Sequence, residues 1–407
     1  MLGRLTAARE EEPPNNGMVA ARCALQRGAA ALLAIFLVLS TEARAQSQSA
    51  TAAPVFSAVD ENGVDLSSGS FNLSTNEVVI GQPGAGGLSF GRTWVGQGWL
   101  PGTLGRILFT TTVSGSFYTV SIGASSETFT LSGGTFTSQQ RMGSTLTLSG
   151  AVYTYTMRDG TIARFNTAIG TPAINTGTKA GLTSITAPSG EVTTFTYRTA
   201  TVGVTPNSRL QSVTNNLGYQ LHFDYATDAA PTAGNLVQWL TVNKVTGINN
   251  AVDYCNPSAD DCTGLTVAWP NATYSVSGDY SPGTDTFETV TDSLGRATRY
   301  TIQYVPGFGF QMRAVRRPSS SGANHAIITY ASDRVATFSN TIGTWGYAYV
   351  DNQGIRTTTV TDPLSHAHSA NTALIAGSLS STTDALGRTT LFNRDQWGRI
   401  IQVWRPE

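Results

Sequence analysis

Charge is what this chain has least of. Asp, Glu, Lys and Arg make up 13% of its 407 residues, about half the ~25% usual in soluble domains. The formal net charge of −1 removes any electrostatic case for nucleic acid or an anionic membrane as partner. Lysine is nearly missing. Lys179 and Lys244 stand among cationic residues that are otherwise Arg, a bias that reads as codon usage rather than chemistry. Apolar runs are short as well. The marked one, residues 29–39, falls below the ~20 residues that cross a bilayer as a helix.

Catalytic signatures are also lacking. The chain has no G-x-x-x-x-G-K-[ST] and no H-E-x-x-H, which leaves phosphate-loop and zincin chemistry without a carrier. The glycine cluster 81–87 lacks dinucleotide spacing and reads as a turn between strands. Histidine is scarce: His222 and His325 sit in strand-like surroundings without an evident acid partner, and His366 and His368 would share one strand face. That pair lacks a third ligand, so no metal is expected there. A carboxylate pair for glycoside hydrolysis would be set by the fold, and nothing in the sequence marks one.

Cysteine is limited to Cys23, Cys255 and Cys262. Cys23 falls in the N-terminal leader described below, so an even pair remains. In an exported chain such a pair is expected as a disulfide closing a short, turn-rich loop. Six intervening residues do not match the two to four usual between zinc-binding cysteines, and no His is near in sequence. Asp260 and Asp261 lack the alternating oxygen ligands of calcium loops. No cofactor is expected.

What the chain does have is Gly (42 residues) and strand-rich stretches of Thr, Ser, Val, Tyr and Phe, with 40% hydrophobic residues. That composition predicts an all-β protein with enough apolar surface for a core. One pattern recurs: Asn215-Asn216-Leu217-Gly218-Tyr219, Asp292-Ser293-Leu294-Gly295-Arg296, Asp362-Pro363-Leu364-Ser365-His366 and Asp384-Ala385-Leu386-Gly387-Arg388. A shorter relative, Asp395-Gln396-Trp397-Gly398-Arg399, follows. Asp or Asn can accept a hydrogen bond from a backbone N–H two residues on, and Gly supplies a positive φ. Flanked by alternating strands such as 297–304, each segment reads as a β-hairpin with a short loop. Asp292, Gly295, Arg296, Asp384, Gly387, Arg388, Asp395, Gly398 and Arg399 are therefore assigned as structural turn positions, the arginines pairing with acids on neighbouring hairpins. Recurrence predicts a repeated supersecondary unit.

These segments resemble the YD repeats of the RHS (rearrangement hotspot) family: an aromatic, a spacer, Tyr-Asp, two residues, Gly-Arg and an aliphatic. Phe392 takes the aromatic place, but Arg394 stands where the Tyr before the Asp belongs. Residues 63–72, 87–94 and 153–161 resemble the segments that precede the repeats in such proteins. The resemblance covers most of 63–407. It implies β-hairpins wound into a spiral or shell-like sheet and a non-enzymatic, exported, bacterial scaffold, wall-associated or secreted. It also implies that this is a short or truncated member, or the N-terminal part of a larger toxin-delivery or cell-contact protein.

The N-terminus carries an address. Arg22 and Arg27 precede the apolar run, and Ala43-Arg44-Ala45 follows it, which is the layout of a secretory signal peptide. Glu10, Glu11 and Glu12 are acidic where a leader is basic, so Met18 makes the better start. The expected organisation is a signal peptide at 1–45, a linker at 46–54, an N-terminal β-domain at 55–166 and repeats at 167–407. No transmembrane segment is expected after the leader. Two other functions stay open. Tyr153/Tyr155, Phe195/Tyr197, Phe223/Tyr225 and Tyr347/Tyr349 each share one sheet face; packing is the favoured reading, but exposed rows would make a carbohydrate-binding adhesin with cell-surface glycans or surface proteins as partners. A facing pair of carboxylates in a cleft would make a β-scaffold glycan hydrolase.

Overall fold

The computed structural model describes residues 58–82, 86–123, 125–170, 176–396 and 398–406. The expected signal peptide, its start at Met18, the linker and Trp397 lie outside the described residues. The fold is all-β. Strand accounts for 58% and helix for 3%, and one antiparallel sheet of 24 strands, open and not closed into a barrel, dominates. Among the described residues no helix is long and apolar enough to cross a membrane.

Alternation builds the strands. In Ile162–Asn166, Ala163 and Phe165 are buried while Arg164 between them is exposed, the period-two pattern of a strand with one face inward. From Thr145 to Trp404 consecutive strands pair antiparallel, each with the next. Thr176–Thr186 is a branch point. Its first half pairs with Gly105–Thr112, which leads into three further strands ending at Ser138. Its second half pairs with Ile162–Asn166 and Val192–Val202. Hydrogen bonding therefore runs across residue 166 without a break, and strands on both sides of that point share one sheet.

Residues 58–101 do something else. They form small two- and three-stranded pieces laid as a strap across one face of the large sheet. The Phe71 ring stacks 6.3 Å from Phe338, Phe90 meets Phe223 at 5.3 Å and Trp99 meets Tyr300 at 4.9 Å. Backbone polar groups join too: Thr358 Oγ1 donates to Leu66 O at 2.6 Å, Arg356 Nη1 to Ser67 O at 2.6 Å, and Val335 N to Gly69 O at 2.8 Å. At the far end the Asn215 side-chain amide donates to Gly86 O at 2.5 Å. Val64, Phe71, Val78, Ile80, Phe90 and Trp94 of the strap belong to one core with Val213, Phe223, Val245, Tyr300, Phe338 and Val360 of the sheet.

A second recurring device lies inside the sheet. At four of the β-bulges that shift the register, the carbonyl beside the extra residue is claimed by a side chain from the next strand. Tyr225 Oη donates to Leu210 O at 2.6 Å, Tyr330 Oη to Met312 O at 3.0 Å, and Tyr349 Oη to Val335 O at 3.0 Å. The fourth case uses Arg394, whose Nε donates to Leu379 O at 3.1 Å. An arginine covers three of these rings: Arg209 over Tyr225, Arg313 over Tyr330 and Arg334 over Tyr349. Burial pushes all three hydroxyls up from their ordinary pKa, so they stay protonated donors.

Candidate functional site

The repeated turns share one hydrogen-bond pattern. In Asp292–Arg296 the Gly295 N–H donates to Asp292 O at 2.9 Å and the Asp292 N–H to Arg296 O at 3.1 Å. Asp292 Oδ1 accepts from the N–H groups of Leu294 (3.0 Å) and Arg296 (2.9 Å). Gly295 has φ +75°, so a three-residue loop closes on a glycine bulge. Asp362 and Asp384 repeat all four bonds at 2.8–3.0 Å, and Asp395 repeats the two backbone bonds and the one from the Arg399 N–H. The same backbone loop appears at 157–161 and 187–191, where Met157 and Ala187 stand in the Asp place, and again at Asp60–Val64 within the strap. At 157–161 and 187–191 the glycine at the fourth position marks the copy in the sequence, and at Asp60–Val64 the Asp does so too.

Among the described residues, no turn arginine pairs with an acid on a neighbouring hairpin. Each folds back on its own acid: Arg296 Nε to Asp292 Oδ2 at 2.7 Å, Arg388 Nε to Asp384 Oδ2 at 2.7 Å, Arg399 Nε to Asp395 Oδ2 at 2.6 Å. The physical reason is proximity, because the loop places residues i and i+4 side by side across the strand ends. The Arg296 side chain, then its backbone N–H, holds the Asp292 carboxyl below its ordinary value, and Arg388 does the same for Asp384. His366 substitutes for Arg and sits 3.0 Å from Asp362 Oδ2. It lies one residue before the strand Ala367–Ala373 that carries His368. Strands reverse at every connection, which puts the turns at 292–296, 362–366 and 384–388 on one rim. A single strand separates 395–399 from 384–388, so that turn lies on the opposite rim.

Cys255 and Cys262 are joined, with Cα atoms 5.4 Å apart. No histidine is near these cysteines in sequence, but the fold brings one to them. The connection after Val242–Asn249 folds back over the preceding strands, Ser212 Oγ donating to Pro257 O at 2.8 Å, and that brings His222 to the sulfurs. Its Nδ1 is 4.0 Å from Cys255 Sγ, and its Nε2 is 3.2 Å from both Asp260 O and Asp224 Oδ1. His222 thus has the acid neighbour that sequence alone did not indicate. Ligand atoms of His222, Cys255 and Cys262 lie within 4.8 Å of one another; with the sulfurs bonded to each other, they hold no metal until reduced. Asp260 is anchored by Arg198 at 2.6 Å and Arg209 at 3.0 Å.

Two half-buried carboxylates, Glu77 and Glu288, flank Arg92. Glu77 accepts from Arg92 Nε at 3.1 Å and Tyr274 Oη at 2.7 Å, and Glu288 from Trp99 Nε1 at 2.9 Å and Tyr280 Oη at 2.8 Å. These bonds pin the strap to the sheet. The aromatic pairs are packed: Tyr153, Phe195, Phe223, Tyr225 and Tyr347 are buried.

One cavity of about 430 Å³ opens on the rim beside Asp292–Arg296. Its walls are Thr289, Gly295, Arg296, Ala297, Arg299 and the connection carrying Arg316, Arg317, Pro318 and Gly322. It faces away from the strap, since Arg299 alternates with Tyr300, whose ring packs on Trp99. Sequence reasoning passed over these arginines because they come from two strands and a loop.

No protein-family model matches the chain, and no curated protein matches it. Among solved structures, the crystal structure of TcdB2-TccC3-TEV superposes on 72% of this chain at 8% identity with a TM-score of 0.21. The match takes in 19% of that chain's own length, and a superposition at that score establishes no shared fold.

Proposed function

We propose that this protein is an exported, non-enzymatic scaffold of RHS/YD-repeat type, acting at or beyond a bacterial cell surface. The observation that supports it is recurrence. One loop with the same bonds closes hairpin after hairpin, and one bulge cap returns four times, once with Arg394 in the place that the family pattern gives to Tyr. Repetition of a supersecondary unit is how extended scaffolds are built. The apolar run at 29–39 with its Ala43-Arg44-Ala45 exit supports export, and a disulfide suits an oxidising compartment. Mass spectrometry of the full chain expressed with its own leader tests the proposal. The expected product is found outside the cytoplasm and begins at Gln46; a chain that stays inside and retains Cys23 would overturn it.

A further inference from the structure

Four arginines converge on the rim cavity, and their arrangement works against stability. Arg299 and Arg316 are direct partners across the strand pair Ala297–Val305 and Gly309–Arg316. Like charges facing each other across an antiparallel pair repel. Several arginines elsewhere are neutralised by an acid: Arg92 by Glu77, Arg209 by Asp228, Arg356 by Asp351 and Arg388 by Asp384. Arg299, Arg316 and Arg317 carry no ion pair among the described residues. Arg296 has Asp292, and among the described residues that carboxylate is the one acidic group bonded to the cluster. The Arg299 guanidinium is braced on the Phe287 ring at 4.5 Å, and its buried Nε–H has no acceptor among the described residues. A chain with 25 cationic residues in 407 has no need to crowd four of them into one hollow for solubility.

We propose that this cavity binds the oxyanion of a phosphate or sulfate ester. Guanidinium groups present forked N–H donors that match the tetrahedral oxygens of such anions, and several of them share the charge. The volume of about 430 Å³ exceeds what a lone anion fills and lies in the range of small-ligand sites. Gly295, Ala297 and Gly322 line it with little or no side chain, leaving space for the small polar group that carries the ester. The near-neutral whole chain conceals this, because the excess of positive charge is local. The inference is independent of export and of repeat ancestry.

Calorimetric titration of the folded full chain with glucose 6-phosphate, glucose 6-sulfate, inorganic phosphate and glucose tests it. At least one ester is expected to bind, weakening as salt rises, while glucose does not. Arg299→Gln and Arg316→Gln should each reduce affinity about tenfold or more, and Arg158→Gln, on a distant turn, should not. Without ligand, Arg316→Gln is expected to raise the melting temperature, because it relieves the facing charges; a residue kept for structure would lower it. No binding of either ester, equal binding by the two glutamine variants, or a fall in the melting temperature of Arg316→Gln would overturn the proposal. Inorganic phosphate binding as tightly as both esters would overturn the ester assignment.

Discussion

The fourth position of the repeated turn tests how a single backbone angle is valued. Gly295 and Gly387 have φ of +75° and +80°, and a Cβ built on either meets nothing within 4 Å. The cost of a side chain there is conformational and not steric. Ser365 occupies the same place in the decayed copy with φ +69°, so this turn already bears that strain. Gly295→Val is therefore expected to destabilise by about 1–3 kcal/mol, and Ser365→Gly to stabilise by about 1 kcal/mol. Thermal unfolding of the two variants checks the opposite signs. The turns were legible in sequence because Asp and Gly each have one physical reason to be there. The self-pairing of Arg296 and Arg388 was not, because strand-end geometry alone decides which carboxylate lies within reach.

At the scale of the element, the bulge caps explain why a departure from a pattern can be neutral. Arg394 breaks the Tyr-Asp expectation, yet its guanidinium performs for Leu379 O what a hydroxyl performs for Leu210, Met312 and Val335. The requirement is a donor at the right distance, not a ring. Tyr330→Phe should leave the Met312 carbonyl unpaired and cost about 1–3 kcal/mol, whereas Arg394→Tyr should unfold at close to the native denaturant concentration. Urea denaturation of both variants measures this; an unchanged Tyr330→Phe would show that the ring and not the donor matters. Alternating aromatics announced strands and a packed face from the sequence. Register shifts did not announce themselves, since an extra residue leaves composition and periodicity almost unchanged over so short a span.

At the scale of the whole molecule, the sheet and its strap are mutually dependent. Strands were foreseeable from Thr, Val and Tyr content, and their all-β outcome with them. The strap was not, because residues 58–101 alternate like any other strands, and only the completed sheet shows them lying across it. Phe71 is buried between the strap and Phe338, so Phe71→Ala should cost about 3–5 kcal/mol. Hydrogen exchange should show protection falling across Arg334–Thr361 while Gly105–Ser132, whose strands pair on the other branch, keeps its own. A loss spread evenly over both regions would count against a local clamp.

Distance along the chain gives the strap a consequence in time. The bond from Thr358 to Leu66 joins groups 292 residues apart, and that from Tyr347 to Asp60 joins groups 287 apart. At a synthesis rate of about 5–20 residues per second, the strap emerges roughly 15–60 s before its last partners exist. Through that interval Val64, Leu66 and Phe71 have no sheet to cover them. Contacts so remote in sequence also make for slow folding once the chain is complete. A segment made so early and covered so late leaves its apolar side chains open to contacts with other chains for as long as the rest of the molecule takes to be made.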